Sequence, residues 1–155
     1  MASDKKTALI TGASSGIGLE LAKIFAREGY DLWLVARSAS KLEAVRKDLN
    51  AQYPVSVQFI PKDLSDPAAA RELFEEFQKR TVFIDVLVNN AGIGTFGLFT
   101  EIPLAQHEQV MNLNMVSLTQ LTRFFLGPMR MKKTGRILNV ASTAAFQPEI
   151  GRAHV

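Results

Sequence analysis

Apolar positions along this 155-residue chain change period repeatedly. Short, nearly continuous apolar runs at residues 7–11, 31–36, 55–60, 86–89 and 136–140 alternate with longer stretches whose apolar residues return every three or four positions. The runs read as parallel strands covered on both faces, because a strand with one solvated face would alternate apolar and polar residues. Between them, Leu19, Leu21, Ala22, Ile24 and Phe25, then Leu42, Val45 and Leu49, then Ala69, Leu73, Phe74 and Phe77 form helical stripes. Strand–helix–strand alternation with right-handed crossovers predicts an α/β fold, an open, doubly wound parallel sheet of about five strands with helices on both faces. Residues 103–131 carry apolar side chains on more than one helical face (Val110, Leu113, Val116, Leu118, Leu121, Phe124, Phe125, Leu126). That predicts packing on the sheet and on a second surface, for which a subunit partner is the candidate.

The exit from the first run is the most informative stretch. Thr11-Gly12-Ala13-Ser14-Ser15-Gly16-Ile17-Gly18 follows Ala8-Leu9-Ile10 and leads into the first helical stripe, so a strand turns into a helix beginning near Ser15 through three glycines. Such a turn can hold a dinucleotide pyrophosphate. Gly12 permits a backbone angle that a Cβ would resist, Gly16 lets the main chain approach phosphate oxygens, and Gly18 lets the helix pack closely on the sheet. The helix start aims unsatisfied N–H groups and its positive dipole end at the phosphates. An ordinary strand-to-helix turn is the alternative, weakened by the correct strand before and helix after. In such a Rossmann-like fold the residue that meets the adenosine ribose ends the second strand, about 20 residues past the glycines. Here Trp33-Leu34-Val35 ends in Ala36-Arg37. A carboxylate would accept from the 2′-hydroxyl and repel a 2′-phosphate, whereas a guanidinium attracts the phosphate, so NADP(H) is expected over NAD(H). Lys41 is a second candidate cation, and the alternative for Arg37 is a solvated loop charge.

Composition narrows the class. At 47% hydrophobic and 21% charged, the chain can bury a core as one domain. Its +3 formal charge is spread among interspersed acids, which argues against nucleic acid as a partner. Without cysteine there is no disulfide, thiol nucleophile or Cys-ligated zinc, and His107 and His154 stand apart, so no metal site is expected. No apolar run approaches the length of a membrane span, and the expected location is cytoplasmic.

Four motifs in order then resemble the short-chain dehydrogenase/reductase family: TGASSGIG at residues 11–18, Asp63-Leu64 after the third strand, Asn89-Asn90-Ala91-Gly92 after the fourth, and Gly135-Arg136-Ile137-Leu138-Asn139-Val140-Ala141-Ser142 at the fifth. The resemblance runs from about Lys6 to Pro148. It implies that Asp63 hydrogen-bonds the adenine and that Asn90, Ala91 and Gly92 steady the sheet and line the cofactor cleft. It also implies that Ser142 hydrogen-bonds the oxygen of a carbonyl or alcohol substrate, and that Asn114 bends a helix around a proton-relay water. Other readings stay open: Asp63 as a helix cap, Asn90 and Ser142 as turn residues, Asn114 as a buried helix amide beside Asn112.

The same resemblance implies a tyrosine about 13 residues beyond the serine, with a lysine four residues later that lowers its phenol pKa. Val155 stands at that position, and the two tyrosines, Tyr30 and Tyr53, lie elsewhere. The expectation is therefore a cofactor-binding domain over residues 1–148, inactive and poorly soluble by itself, from an oxidoreductase whose longer form is a homo-oligomer. Residues 149–155 fit no family pattern. The adapter DNA ATC GGA AGA GCA CAC GTC TGA translates to Ile150-Gly151-Arg152-Ala153-His154-Val155 and a stop, so a non-native tail is expected, a divergent terminus being the alternative. The second function class left open is a non-catalytic dinucleotide-binding module.

Overall fold

In the computed structural model, residues 5–143 are described. Five strands, β1 (Thr7–Thr11), β2 (Asp31–Ala36), β3 (Val57–Pro61), β4 (Val86–Asn89) and β5 (Arg136–Asn139), form one parallel sheet in the order β3-β2-β1-β4-β5. The connections carry α1 (Gly16–Arg27), α2 (Ala39–Gln52), α3 (Ala69–Arg80), and a long final helix made of α4 (Leu104–Met111), a π-helical segment at Asn112–Ser117 and α5 (Leu118–Lys132). The sheet grows outward from β1 to β3, and β4 then returns to the other side of β1. That reversal opens a crevice at the carboxyl ends of β1 and β4, the switch point at which sheets of this kind bind ligands. The doubly wound α/β fold predicted from the chain is the fold observed.

Alternation along the strands decides which helix each side chain meets. From β1, Ala8 and Ile10 join Leu32, Leu34, Val57, Val86 and Val88 in a core closed by Ala22 and Ala26 of α1 and Leu42, Val45 and Leu49 of α2. Leu9 points to the opposite face and packs with Val35, Leu87, Leu73 and Phe77 of α3, and Leu121, Phe125 and Met129 of α5. Each such side chain, taken fully from water, stabilises by about 1.5–3 kcal/mol. Local chemistry positions the helices. After α1 the Tyr30 N–H donates to the Phe25 carbonyl at 3.0 Å, and the Tyr30 ring meets Phe25 edge-on at 5.2 Å, which turns the chain into β2. Ser38 caps α2 by accepting from the Lys41 N–H.

Several details depart from the sequence expectation, and the end of β5 at Asn139 rather than at 140 is the smallest. The third strand begins at Val57 rather than at 55, because the Val55 N–H turns back to Tyr53 O and the Ser56 N–H donates to the Asp31 carboxylate. It ends on Pro61, which an edge strand tolerates because no ladder donor is needed there. Finally, the helical stretch predicted over 103–131 runs through i→i+5 winding at Asn112–Ser117. The domain boundary placed at 148 and the tail at 149–155 lie outside the described residues. Among the described residues no helix is long and apolar enough to cross a membrane.

Candidate functional site

A cleft of about 350 Å³ opens at the carboxyl ends of β1 to β4. Its floor rests on Thr11, the last residue of β1, which is 1% exposed. The Thr11 hydroxyl donates to Val88 O at 3.2 Å and accepts the N–H groups of Asn90 at 3.0 Å and Ala91 at 2.9 Å. Asn90 replies through its side chain, whose Nδ2 donates to Thr11 O at 3.0 Å and Gly12 O at 3.3 Å. The turn after β1 and the turn after β4 are thus sewn together by polar bonds centred on the buried Thr11.

The glycine turn is shaped by that seam. Gly12 has φ +65°, and a Cβ there would lie 2.8 Å from Asn90 Nδ2 and 2.9 Å from Ala91 Cα, so both angle and space demand glycine. At Gly18 a Cβ would overlap the Gly12 carbonyl oxygen and Asn90 Nδ2, and the helix reaches the sheet only because none is present. Gly16 faces open space. Ser14 and Ser15 line the cleft, and Ile17, 61% exposed, stands on the first turn of α1. The Ser15 side chain makes no cap bond and α1 has no acid in its first turn, so the positive end of the helix is left uncompensated where it meets the cleft.

The opposite rim is charged. Arg37, at the end of β2, lines the cleft with Lys41, Lys62 and Asp63. Lys62 is held by Glu72 at 2.8 Å, whereas Arg37 and Lys41 form no salt bridge among the described residues. Asp63 does not cap α3; its Oδ1 accepts the Ser65 N–H at 3.0 Å and the Ser65 hydroxyl at 2.7 Å. Partial desolvation pushes the Asp63 carboxyl up, but the two Ser65 donors and the nearby Arg37 guanidinium outweigh it and hold it below the usual carboxylate range. Leu64, 4% exposed, follows as the apolar side of this loop.

Ala91 and Gly92 complete the wall below the β4 exit. Asn114 lies in the π-helical segment and clamps the loop beyond them: its Oδ1 accepts the Ile93 N–H at 3.0 Å and its Nδ2 donates to Ile93 O at 2.8 Å. Asn114 is thus a half-buried helix amide bonded across to a loop. Ser142 lies three residues past the end of β5, exposed, and does not line the cleft. The cleft therefore gathers Gly12, Ser14, Ser15, Arg37, Asp63, Leu64, Asn90, Ala91 and Gly92, with Gly16, Ile17 and Gly18 behind them in the glycine turn. Sequence reasoning assigned no role to Thr11, Ile93 or Ser117, nor to Asn89, whose Nδ2 donates to Thr122 Oγ1 at 3.0 Å and Asn139 Oδ1 at 2.9 Å. Thr11 alone carried a signal, as a hydroxyl closing an apolar strand.

A glycine turn into an uncapped helix at the switch point of a parallel sheet defines a nucleotide-binding α/β protein. The sequence matches the short chain dehydrogenase family over residues 6–154, and the chain belongs to that family. It is 38% identical to an NADP-dependent 3-hydroxy acid dehydrogenase of Schizosaccharomyces pombe, covering 96% of this chain and 58% of that protein. With the ketoacyl reductase HetN of a Nostoc species it shares 36% identity over 90% of this chain and 48% of the relative. Among solved structures, a short-chain dehydrogenase from Sphingobium yanoikuyae in complex with NADPH is similar with TM-score 0.88 and 37% identity, covering 95% of this chain and 57% of that one. The chain thus spans about half the length of the curated relatives it matches.

Proposed function

We propose that this chain is the NADP(H)-binding part of an oxidoreductase that reduces a carbonyl or oxidises a secondary alcohol. The observation that carries the reading is Arg37: a guanidinium without a salt-bridge partner among the described residues, at the end of β2, on the rim of the cleft that the glycine turn enters. The cleft fits such a dinucleotide in its donor set. Open space beside Gly16 and the uncompensated end of α1 suit the pyrophosphate, Arg37 and Lys41 suit a 2′-phosphate, and the Asp63 carboxylate suits adenine as an acceptor. The NADPH-bound Sphingobium relative supports the same preference.

Bound there, NADP(H) supplies or accepts the hydride. Everything else falls to side chains. Ser142 donates a hydrogen bond to the substrate oxygen, where charge develops as the carbonyl is reduced. Asn114 holds the loop after Gly92 through both the N–H and the carbonyl of Ile93 and so fixes the wall on which the nicotinamide end rests. Tyr30 and Tyr53 pack against the core on the α1–α2 face, so the proton donor of the reaction is neither of them. The domain assignment, a cofactor-binding domain over residues 1–148, belongs to this proposal, as does a cytoplasmic location. A homo-oligomeric longer form is supported by apolar side chains exposed along the final helix, Met115 at 62%, Leu126 at 39% and Met131 at 86%. Nucleic acid is not the proposed partner, since Lys23, Arg46 and Arg80 are each paired with a glutamate of their own helix.

Isothermal titration with NADP+ and NAD+ tests the reading. A charge-assisted contact worth about 1.5–3 kcal/mol corresponds to a preference for NADP+ of roughly 10- to 100-fold. Arg37→Asp should erase it by repelling the 2′-phosphate. Equal affinities in the unmutated chain would refute the assignment.

A further inference from the structure

The π-helical segment touches both loops that flank the cofactor cleft, and it does so with two side chains three residues apart. Asn114 takes the Ile93 peptide in the loop after β4, while the Ser117 hydroxyl donates to the Leu64 carbonyl in the loop after β3. Both partners in the second contact are buried, Ser117 at 3% and Leu64 at 4% exposure, so the bond is shielded from water and has no solvent substitute. Eight residues earlier on the same helix, Gln109 Nε2 donates to Ser65 Oγ at 3.4 Å, and Ser65 in turn donates to the Asp63 carboxylate. An α-helix sets residues three apart about 60° from each other, which would aim Asn114 and Ser117 at nearly the same side. Winding by i→i+5 spreads them, and they reach opposite rims of the cleft.

We propose that Ser117 is a positioning residue for the adenosine side of the cleft, and that the π-helical segment is one brace whose Asn114 end sets the loop after β4 and whose Ser117 end sets the Asp63–Leu64 loop. The adenosine role rests on the proposed nucleotide binding; the brace itself does not. Ser117 acts through Leu64. Holding that carbonyl fixes the Leu64–Ser65 peptide, whose N–H donates to the Asp63 carboxylate, and so fixes where the carboxylate stands relative to Arg37, with which it interacts electrostatically.

Amide hydrogen exchange on the 155-residue chain without ligand, with titration of adenosine 2′,5′-bisphosphate alongside, separates the two claims. Ser117→Ala should speed exchange at Ser65 and Asp66 about tenfold while leaving Ile93 unchanged; Asn114→Ala should do the reverse. Ser117→Ala should also weaken the bisphosphate about fivefold, whereas Asn114→Ala, at the far rim, should leave it within twofold. A uniform rise in exchange across the sheet would show a merely structural serine and overturn the brace, as would unchanged exchange at Ser65 and Asp66. Local loosening at those two amides with unchanged bisphosphate affinity would overturn the adenosine role. Should the unmutated chain bind no bisphosphate, the nucleotide reading and the adenosine role both fail, and the exchange pattern still decides the brace.

Discussion

The two ladders that β4 shares are chemically alike and physically unlike. Against β1, β4 pairs Val86, Leu87 and Val88 with Ala8, Leu9 and Ile10, and every one of these side chains is buried on a face covered by helices. Against β5, the same residues pair with Arg136, Ile137 and Leu138, and there only Ile137 is even half-buried while Leu138 is 42% exposed. Parallel pairing supplies the hydrogen bonds in both; burial differs. The glycine turn is thus anchored in the fully buried part of the molecule, between β1 and β4, while Ser142 continues from the strand with the least cover. The cleft is built by residues of the covered part alone, whereas Ser142, proposed above to meet the substrate, hangs from a flank with little cover.

The sharpest way to break that contrast is a pair of truncations. Leu87→Ala, in the fully buried centre, should cost about 2–5 kcal/mol in denaturant-induced unfolding, and Leu138→Ala, at the exposed flank, about 0.5 kcal/mol or less. Comparable losses would mean that β5 is covered as well as β1. A smaller but more pointed effect concerns the two threonines on either side of β4. Thr11→Val leaves the Asn90 and Ala91 N–H groups without their acceptor and should cost about 1–3 kcal/mol, with Thr11→Ser recovering most of it. Thr122→Val removes a single acceptor from Asn89 Nδ2, which keeps Asn139, and should cost about 1 kcal/mol at most.

The smallest effect is the charge at Asp63. Its carboxyl is held below the usual range when folded, so it contributes stability that is present above the ordinary carboxylate pKa and lost as pH falls through the depressed folded value. The stability difference between the native chain and Asp63→Asn should therefore be flat between about pH 6 and 8 and shrink only below about pH 4. A difference that already shrinks near neutral pH would mean that the Ser65 donors and Arg37 do not outweigh desolvation.

How legible these regions were follows from the range of the interactions that build them. Strands and helices were readable because continuous apolar runs and a 3.6-residue period are written in neighbouring residues, and the glycine turn because a Cβ at Gly12 or Gly18 would clash with the chain around it. The start of β3 was not readable: it depends on Asp31 claiming the Ser56 N–H from 25 residues away. Nor was the seam at Thr11, whose acceptors and donors come from 77 to 80 residues further along. The π-helical winding left no trace because six residues of i→i+5 bonding barely disturb an apolar stripe, yet it decides where Asn114 and Ser117 point. Arg37 was legible as a cation for a 2′-phosphate from its register with the glycine turn, and the folded sheet adds the cleft that it lines.

The central claim is that the cleft at the carboxyl ends of β1 to β4 receives NADP(H), and backbone amide chemical-shift mapping during titration of the 155-residue chain with NADP+ tests it most directly. The account predicts saturable shifts at Gly12, Ser14 to Gly18, Arg37, Asp63 to Ser65 and Asn90 to Ile93, with the outer strand β5 silent. Shifts scattered over the surface, or gathered on the final helix away from these four loops, would contradict it.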